Sequence, residues 1–210
     1  ADEKDYLVKD GESDYKILYS TSITDNEYQA ITELVDLFYS ATGIYLEAVS
    51  VDDIFVFLSN YHYISIGDTK LAELARVDYD RATYGDQGYR IETVANSIFI
   101  RSGGHYGLIY GVYQFLTEQF GYDYYAEGIW SFDLPTDNCR LVDVAINDAP
   151  AIPWMASSYQ EANVGDEVAR RLRIYKTSEA IMSAPSISPW HNTLNYVEQI
   201  LAGTHSNWFD

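Results

Sequence analysis

One glycine-rich stretch of this sequence, residues 102–121 (SGGHYGLIYGVYQFLTEQFG), could do chemistry. It follows the apolar segment Ser97–Ile100, and a strand, a glycine-rich turn and a helix in that order form phosphate-binding loops. A dinucleotide-binding loop needs the pattern G-x-G-x-x-G, whereas Gly103 and Gly104 are adjacent here. The lysine of a Walker loop is also missing from the stretch. The sequence therefore does not favour nucleotide binding.

The same glycines are better explained by packing. Gly107 and Gly111 fall on one face of a predicted helix. The apolar residues of that face are Leu108, Val112 and Phe115. Glycine inside a helix costs about 1 kcal/mol relative to alanine, so two glycines on a buried face indicate close approach of the helix to a sheet. We expect Gly103 and Gly104 to supply a turn with positive φ.

Acidic residues are the most numerous ionisable groups, with 32 Asp and Glu against 13 Lys and Arg. Asp52 and Asp53 are predicted in a loop, where exposure to solvent accounts for two adjacent charges. Three acids surround a predicted polar loop, 78–87, and could offer oxygen ligands to calcium: Asp78, Asp80 and Asp86. They lack the glycine and the terminal glutamate of an EF-hand at the right spacing. We therefore predict no metal site.

The four histidines are His62, His105, His191 and His205. None forms the H-E-x-x-H pattern of a zinc enzyme. His62 is predicted inside a strand and His105 at the start of the glycine-rich helix, where structural roles explain both. No nucleophile elbow of the form G-x-S-x-G is present either. We expect neither a metal nor a cofactor.

Composition restricts the class of protein. The chain has 210 residues, of which 47% are hydrophobic and 21% charged, as in a globular protein with a core. Its net charge of −19 repels DNA and RNA. No apolar run reaches the roughly 20 residues of a membrane span. The first residues, ADEKD, are typical of a mature chain after signal-peptide cleavage, so we expect a secreted or cell-surface protein.

The single cysteine, Cys139, excludes an internal disulfide and a cysteine-based zinc site. It lies in the apolar run Cys139–Val144. We expect a buried thiol.

Hydrophobic periodicity predicts strands interleaved with helices, that is, a sheet with helices packed on it. Thr24 and Glu27 fit a capping box at the start of one helix, and Gly43 fits its C′ position. A hairpin is predicted around Ala95, and Asn147–Pro150 marks a boundary. Residues 1–14 are expected to be a flexible N-terminus. The predicted strands are 15–20, 44–51, 61–66, 88–94, 97–101 and 139–145, and a short helix is predicted over 70–77.

Several motifs together resemble a known domain. They are 107–116 (GLIYGVYQFL), 120–125 (FGYDYY), Leu134-Pro135, and the hairpin segments 88–91 (GYRI) and 98–100 (IFI). This region is similar to the N-terminal domain that precedes the catalytic barrel in beta-N-acetylhexosaminidases and alpha-glucuronidases. The closest likeness is to bacterial secreted proteins related to those glycosidases. Residues 150–154 (PAIPW) resemble the junction with the barrel, and 191–192 and 205–209 resemble its early segments.

The resemblance implies an α/β fold with a mixed sheet, followed by the first elements of an incomplete (β/α)₈ barrel. Residues 15–146 would be the accessory domain and residues 147–210 the barrel start. A barrel takes about 250 residues, and 60 follow Pro150. We therefore expect the front end of a longer protein.

Glycosidases use two carboxyl groups that flank the scissile bond. In the family these groups stand on later barrel strands, so we expect no catalytic residue in this chain and no activity from it alone. Glu161 and Asp166 follow the implied first barrel strand. They therefore precede the strands that carry the catalytic carboxyl groups in the family. Candidate substrate-binding residues combine aromatic rings with polar donors, as sugars require: Trp154, Trp190, His191 and Asn192. Met155 stands where the family often has arginine, which leaves the preference for acidic sugars open.

Two functions remain open at this point. The first is a non-catalytic accessory domain, with the barrel start, of a secreted carbohydrate-active protein. The alternative is a carbohydrate-binding or adhesion module without catalysis. For the alternative, a sugar platform would come from four aromatic residues, Tyr122, Tyr124, Tyr125 and Trp130. Aromatic residues also fill sheet–helix interfaces, and we favour that interpretation.

Overall fold

The structure is a computed structural model, and it describes residues 6–151 and 166–174. The strands are β1 (Tyr6–Val8), β2 (Lys16–Tyr19), β3 (Glu47–Ser50), β4 (Tyr63–Ile66), β5 (Tyr89–Val94), β6 (Ser97–Ser102), β7 (Asp123–Ala126), β8 (Ile129–Ser131), β9 (Cys139–Arg140) and β10 (Ala145–Asp148). The helices are α1 (Asp25–Thr42), α2 (Lys70–Leu74), α3 (Arg81–Tyr84), α4 (His105–Phe120) and α5 (Asp166–Arg171).

A six-stranded sheet in the order β10-β5-β6-β4-β2-β3 lies at the centre. Strands β3, β2, β4 and β6 run parallel, while β5 is antiparallel to both β6 and β10. This confirms the expected mixed sheet with helices packed on it. The predicted barrel start, residues 147–210, lies mostly outside the described residues and stays a prediction.

The main hydrophobic core lies between one face of the sheet and helices α1 and α4. The opposite face carries a smaller cluster, formed by Leu18, Leu71, Ala72, Val77 and Phe99. The segment between β3 and β4 covers this second face, because Phe57 packs edge-on against Phe99. The central strands β2, β4 and β6 are thus buried on both sides, as expected for parallel strands.

Helix α1 begins and ends where the sequence predicts. The amide of Glu27 donates to Thr24 Oγ1 at 3.2 Å, and the amide of Thr24 donates to Glu27 Oε2 at 3.0 Å. The helix ends at Gly43, whose φ of 75° is left-handed and whose amide donates to the carbonyl of Tyr39. Both end signals are local, so the sequence alone was sufficient to place them.

Helix α4 approaches the sheet at its glycines, as predicted. A Cβ atom on Gly111 would lie 2.7 Å from Ile100 Cγ2, and one on Gly107 would overlap the carbonyl oxygen of Gly88. The expected positive-φ turn is wrong, because neither Gly103 nor Gly104 has positive φ. They are needed for space instead. A Cβ on Gly103 would overlap Gly85, and one on Gly104 would overlap Asp86.

The N-terminal segment differs from the expectation of a flexible stretch over 1–14. Leu7 and Val8 in β1 are fully buried, and β1 pairs antiparallel with β9. A hairpin bridge between Lys9 and Glu12 follows. Residues 6–14 are therefore fixed by a partner more than 120 positions away, which local composition does not reveal.

The predicted strand 139–145 is divided between two sheets. Its first part, β9, pairs with β1, and β10 pairs with β5 and extends to Asp148. Buried Gln119 bridges the break, since its Nε2 donates to the carbonyl of Arg140 and its Oε1 accepts from the amide of Val142. The proposed boundary at 147–150 thus begins inside a strand. Cys139 is half-buried rather than fully buried, and burial raises the pKa of its thiol.

Candidate functional site

A buried acid on α1 anchors the candidate site. Glu33 is 8% exposed and lies on the face that α1 turns toward the core, with Ala30 and Leu37. Its Oε2 lies 3.1 Å from Arg171 Nε, and its Oε1 lies 3.6 Å from Arg170 Nη2. A buried carboxylate without a partner is costly, so helix α5 supplies the charges that make this position tolerable.

Arg171 also covers aromatic rings. Its guanidinium lies 5.7 Å from the ring of Tyr124 and 5.3 Å from the ring of Trp130, which is within cation–π range. The β7–β8 hairpin pairs Tyr124 with Trp130, and residues directly opposite in a ladder share a face. We call Glu33, Tyr113, Tyr122, Tyr124, Trp130 and Arg171 the aromatic–arginine cluster.

The four aromatic residues proposed as a sugar platform differ in exposure. Tyr122 and Tyr124 are buried, at 4% and 8% exposure. Trp130 is 36% exposed, and its indole Nε1 lies 3.3 Å from Ser40 Oγ. Tyr125 is 57% exposed and lies at the irregularity in the pairing between Tyr124 and Ala126. Packing is confirmed for Tyr122 and Tyr124, and Tyr125 and Trp130 are the exposed pair.

An open cleft of about 430 Å³ borders this cluster. It is lined by the end of α4, the start of β7 and residues 171–173. The buried hydroxyls of Tyr113, Tyr122 and Tyr124 have no hydrogen-bond partner within the described part of the chain. Burial raises the pKa of each of these three tyrosines, so they stay neutral at physiological pH. The three phenols can therefore donate hydrogen bonds and pack.

A second polar network closes the carboxyl ends of β2 and β4. Asp68 Oδ1 lies 2.8 Å from Arg101 Nη2, and its Oδ2 lies 2.9 Å from Arg81 Nη2. Open α/β sheets bind ligands at this edge, but the crevice here measures only about 70 Å³. Two arginines of the chain neutralise the carboxylate, and the remaining space is too small for a nucleotide.

Several of the acids and histidines singled out from sequence have partners within the described residues. Asp80 caps α3, because its carboxylate accepts from the amide of Ala82 and from the hydroxyl of Thr83. Asp52 accepts from Thr21, which lowers its pKa. His62 precedes β4 instead of lying inside it and faces the ring of Tyr15. Across residues 6–151 and 166–174, no group of three His, Cys, Asp or Glu side chains could hold a metal ion.

Of the other site residues predicted from the sequence, some lie within the described residues and others lie outside them. Asp166 is the first residue of α5. The substrate-binding candidates Trp154, Trp190, His191 and Asn192 lie outside the described residues, as do Glu161, Met155 and His205. None of the helices that the structure describes has the length and apolar character that crossing a bilayer requires.

Sequence reasoning missed Glu33 and Arg171. One signal was available, since Glu33 interrupts an apolar face at three residues from Ala30 and four from Leu37. A charge in such a position predicts a buried partner. The identity of that partner was not readable, because it lies 138 positions further along the chain.

Comparison with known proteins gives only distant similarity. No protein-family model matches the chain, and no curated protein matches it. A GH20 beta-N-acetylhexosaminidase from Streptomyces coelicolor A3(2) has 17% identity and a TM-score of 0.43, covering 68% of this chain and 23% of its own. The chitobiase of Flavobacterium johnsoniae has 16% identity and a TM-score of 0.42, covering 74% of this chain and 20% of its own. A mutant Streptomyces plicatus beta-hexosaminidase in complex with GlcNAc has 16% identity and a TM-score of 0.40, covering 67% of this chain and 23% of its own. This chain thus spans less than a quarter of the length of these structures.

Proposed function

We propose that the α/β domain is a non-catalytic accessory domain of a secreted, carbohydrate-active protein related to glycoside hydrolases. Residues 147–210 begin its barrel in this proposal, and the intact protein acts on an oligo- or polysaccharide. The motif resemblance over residues 88–135 supports the family. The contacts of the aromatic–arginine cluster support the accessory role.

The ion pair between Glu33 and Arg171 is the observation that carries the proposal. Helix α5 follows the sheet domain in sequence, yet its arginine neutralises an acid buried in α1. Val168 and Ala169 of α5 are buried as well. The surface of α1 and α4 therefore receives polypeptide that follows the domain in sequence. In this proposal the contact supports a following domain.

The arrangement of aromatic rings favours the accessory role over a carbohydrate-binding module. Sugar platforms need exposed rings that lie in one plane. Here Arg171 lies over Tyr124 and Trp130, and the hydroxyl of Tyr125 lies 3.2 Å from Ser131 Oγ. Two of the four rings are thus buried, and a third lies beneath Arg171.

Activity and binding assays on the purified chain test this proposal. We expect no hydrolysis of aryl glycosides and no binding on a glycan array. Hydrolysis that is abolished by replacing one carboxylate would contradict the non-catalytic role. Glycan binding that is lost in Trp130→Ala and Tyr124→Ala, but retained in Tyr125→Ala, would support the binding module instead.

The structural half of the proposal has its own test. Glu33→Gln removes the charge that holds Arg171, so α5 should detach more often and trypsin should cleave faster at Arg170, Arg171 and Arg173. The expected loss of stability is about 1–3 kcal/mol, as for other buried groups that lose a partner. Glu73→Gln is the matched control, because Glu73 forms an exposed ion pair with Lys70. Equal cleavage rates in both variants would show that Glu33 does not hold α5.

A further inference from the structure

Helix α5 places one arginine in a site that other elements build. Arg171 Nε lies 3.1 Å from Glu33 Oε2, and the guanidinium lies 5.7 Å from the ring of Tyr124 and 5.3 Å from the ring of Trp130. The arginine side chain is only 9% exposed. A carboxylate beside aromatic rings suits a guanidinium on two counts, because its N–H groups pair with acids and its planar group packs on π-faces.

The groups that surround this guanidinium belong to α1 and to the β7–β8 hairpin. Tyr124 and Trp130 are directly opposite in the ladder. The indole Nε1 of Trp130 lies 3.3 Å from Ser40 Oγ on α1, and Glu33 is a buried residue of the same helix. The three groups are therefore positioned by elements other than α5. We call Glu33, Tyr124 and Trp130 the guanidinium site.

Unpartnered hydroxyls lie next to the guanidinium site. The hydroxyls of Tyr113, Tyr122 and Tyr124 are buried and have no hydrogen-bond partner within the described residues. The charges of Glu33 and Arg171 act on the phenols of Tyr113 and Tyr122, so these phenols lie near the ion pair. A phenol oxygen can accept a hydrogen bond, and a guanidinium carries five N–H donors. Acceptors for a guanidinium ligand are thus present besides the carboxylate.

Helix α5 has little else to hold it in place. It spans six residues, Asp166–Arg171, which is too short for a helix that is stable by itself. Val168 and Ala169 are buried, and Leu172 packs against the core while partly exposed. Arg170, whose Nη2 lies 3.6 Å from Glu33 Oε1, belongs to the same helix and would leave with it. A competing guanidinium would therefore replace the ion pair and displace only a few small apolar contacts.

An open cleft gives a cation access to the site. The cleft of about 430 Å³ that borders Arg171 is also lined by Asp123 and Asp133, both of which are exposed. Arg173, on the same rim, donates to Gln114 Oε1 and belongs to the polypeptide that follows α5. The net charge of −19 raises the local concentration of cations around the whole chain. Charge thus favours a cationic ligand over an anionic one.

We propose that Glu33, Tyr124 and Trp130 bind a guanidinium group, and that α5 occupies this site with Arg171 as a displaceable internal ligand. The external ligand is a small guanidinium compound or an arginine side chain of another polypeptide, and its binding releases α5. Such a site requires no relationship to glycoside hydrolases, so its absence would leave the accessory role of the domain intact.

Calorimetric titration of the Arg171→Ala chain with N-ethylguanidinium tests the site. This variant removes the internal ligand, so it should bind at least about tenfold more tightly than the wild type, in which Arg171 competes. Glu33→Gln/Arg171→Ala should lose at least about tenfold in affinity relative to Arg171→Ala, a factor that corresponds to about 1.4 kcal/mol. Ethylammonium at the same ionic strength is the matched control and should bind more weakly, because a point charge lacks the planar fork.

Hydrogen exchange of the wild type gives an answer even where Arg171→Ala does not fold. Ethylguanidinium should speed exchange of the amides of 168–172 relative to those of α4, and ethylammonium should not. Arginine amide and a synthetic peptide of residues 166–174 distinguish the two sources of the ligand. Tighter binding of the peptide to Arg171→Ala assigns the site to polypeptides, and equal or weaker binding assigns it to small guanidinium compounds.

Two results would overturn the proposal. The first is an equal affinity of the wild type, Arg171→Ala and Glu33→Gln/Arg171→Ala for ethylguanidinium, or its failure to bind a folded Arg171→Ala chain. The second is an equal response of the exchange of α5 to ethylguanidinium and to ethylammonium, because the effect would then be one of charge alone.

Discussion

Replacing Gly111 tests the packing of α4 on the sheet. A Cβ atom at this position would lie 2.7 Å from Ile100 Cγ2 and 3.4 Å from the Cβ of Tyr89. Ile100 and Tyr89 are buried, at 0% and 3% exposure. Ile100 is β-branched and therefore stiff at χ1, so it has little freedom to move away. The helix must rise from the sheet, or the side chain must leave its rotamer.

The substitution makes two opposing contributions to the free energy of unfolding, and their sizes can be compared. Overpacking of a core costs about 1–3 kcal/mol, whereas removing glycine from a helix gains up to about 1 kcal/mol. Gly111→Ala adds one methyl group, so we expect it to be about neutral or to destabilise by up to ~2 kcal/mol. Gly111→Val adds two further methyl groups and has a smaller propensity gain, so we expect a loss of about 2–3 kcal/mol. This is a large part of the 5–15 kcal/mol by which typical domains are stable.

Urea unfolding of the wild type, Gly111→Ala and Gly111→Val measures these values as shifts in midpoint at constant m. Ile100→Leu provides the matched partner, because leucine lacks the Cγ2 atom that the new methyl group would meet. In the double variant Gly111→Ala/Ile100→Leu, the two losses should sum to more than the measured loss. Equal or higher stability of Gly111→Val than of the wild type would show that Gly111 does not face the sheet.

Two further predictions concern local charges and caps. Thr24→Ala should destabilise the fold by about 1 kcal/mol, the usual cost of losing an N-cap, whereas Thr32→Ala in the middle of the same helix should be neutral by thermal unfolding. Burial raises the pKa of Asp68, but the bonds from Arg101 and Arg81 outweigh it and hold the pKa below the ordinary 3.8. Its contribution is therefore present above that value and lost as pH falls through the folded-state pKa. Asp68→Asn should thus be less stable at neutral pH and should lose less stability in acid than the wild type, and identical acid profiles would contradict this.

The sequence alone determined the features whose cause is local. The capping box of Thr24 and Glu27, the left-handed Gly43 and the hairpin at Ala95 depend on residues a few positions apart. The packing role of Gly111 was also readable, because helical periodicity places it on an apolar face. Strands interleaved with helices were sufficient to predict a sheet with helices packed on it, whereas the mixed strand direction was an expectation from the family resemblance.

Only the tertiary structure decided the long-range partners. The pairing of β1 with β9, the division of residues 139–148 between two sheets, and the ion pair of Glu33 with Arg171 join positions far apart in the chain. Short strands such as β1 and β9 carry too few residues for a periodic pattern. Gly103 shows the same limit, since composition identifies a glycine, but only the neighbouring loop at Gly85 shows that it is there to make space. A charged residue on an otherwise apolar helix face is visible in the sequence. Its partner is determined only by the tertiary fold.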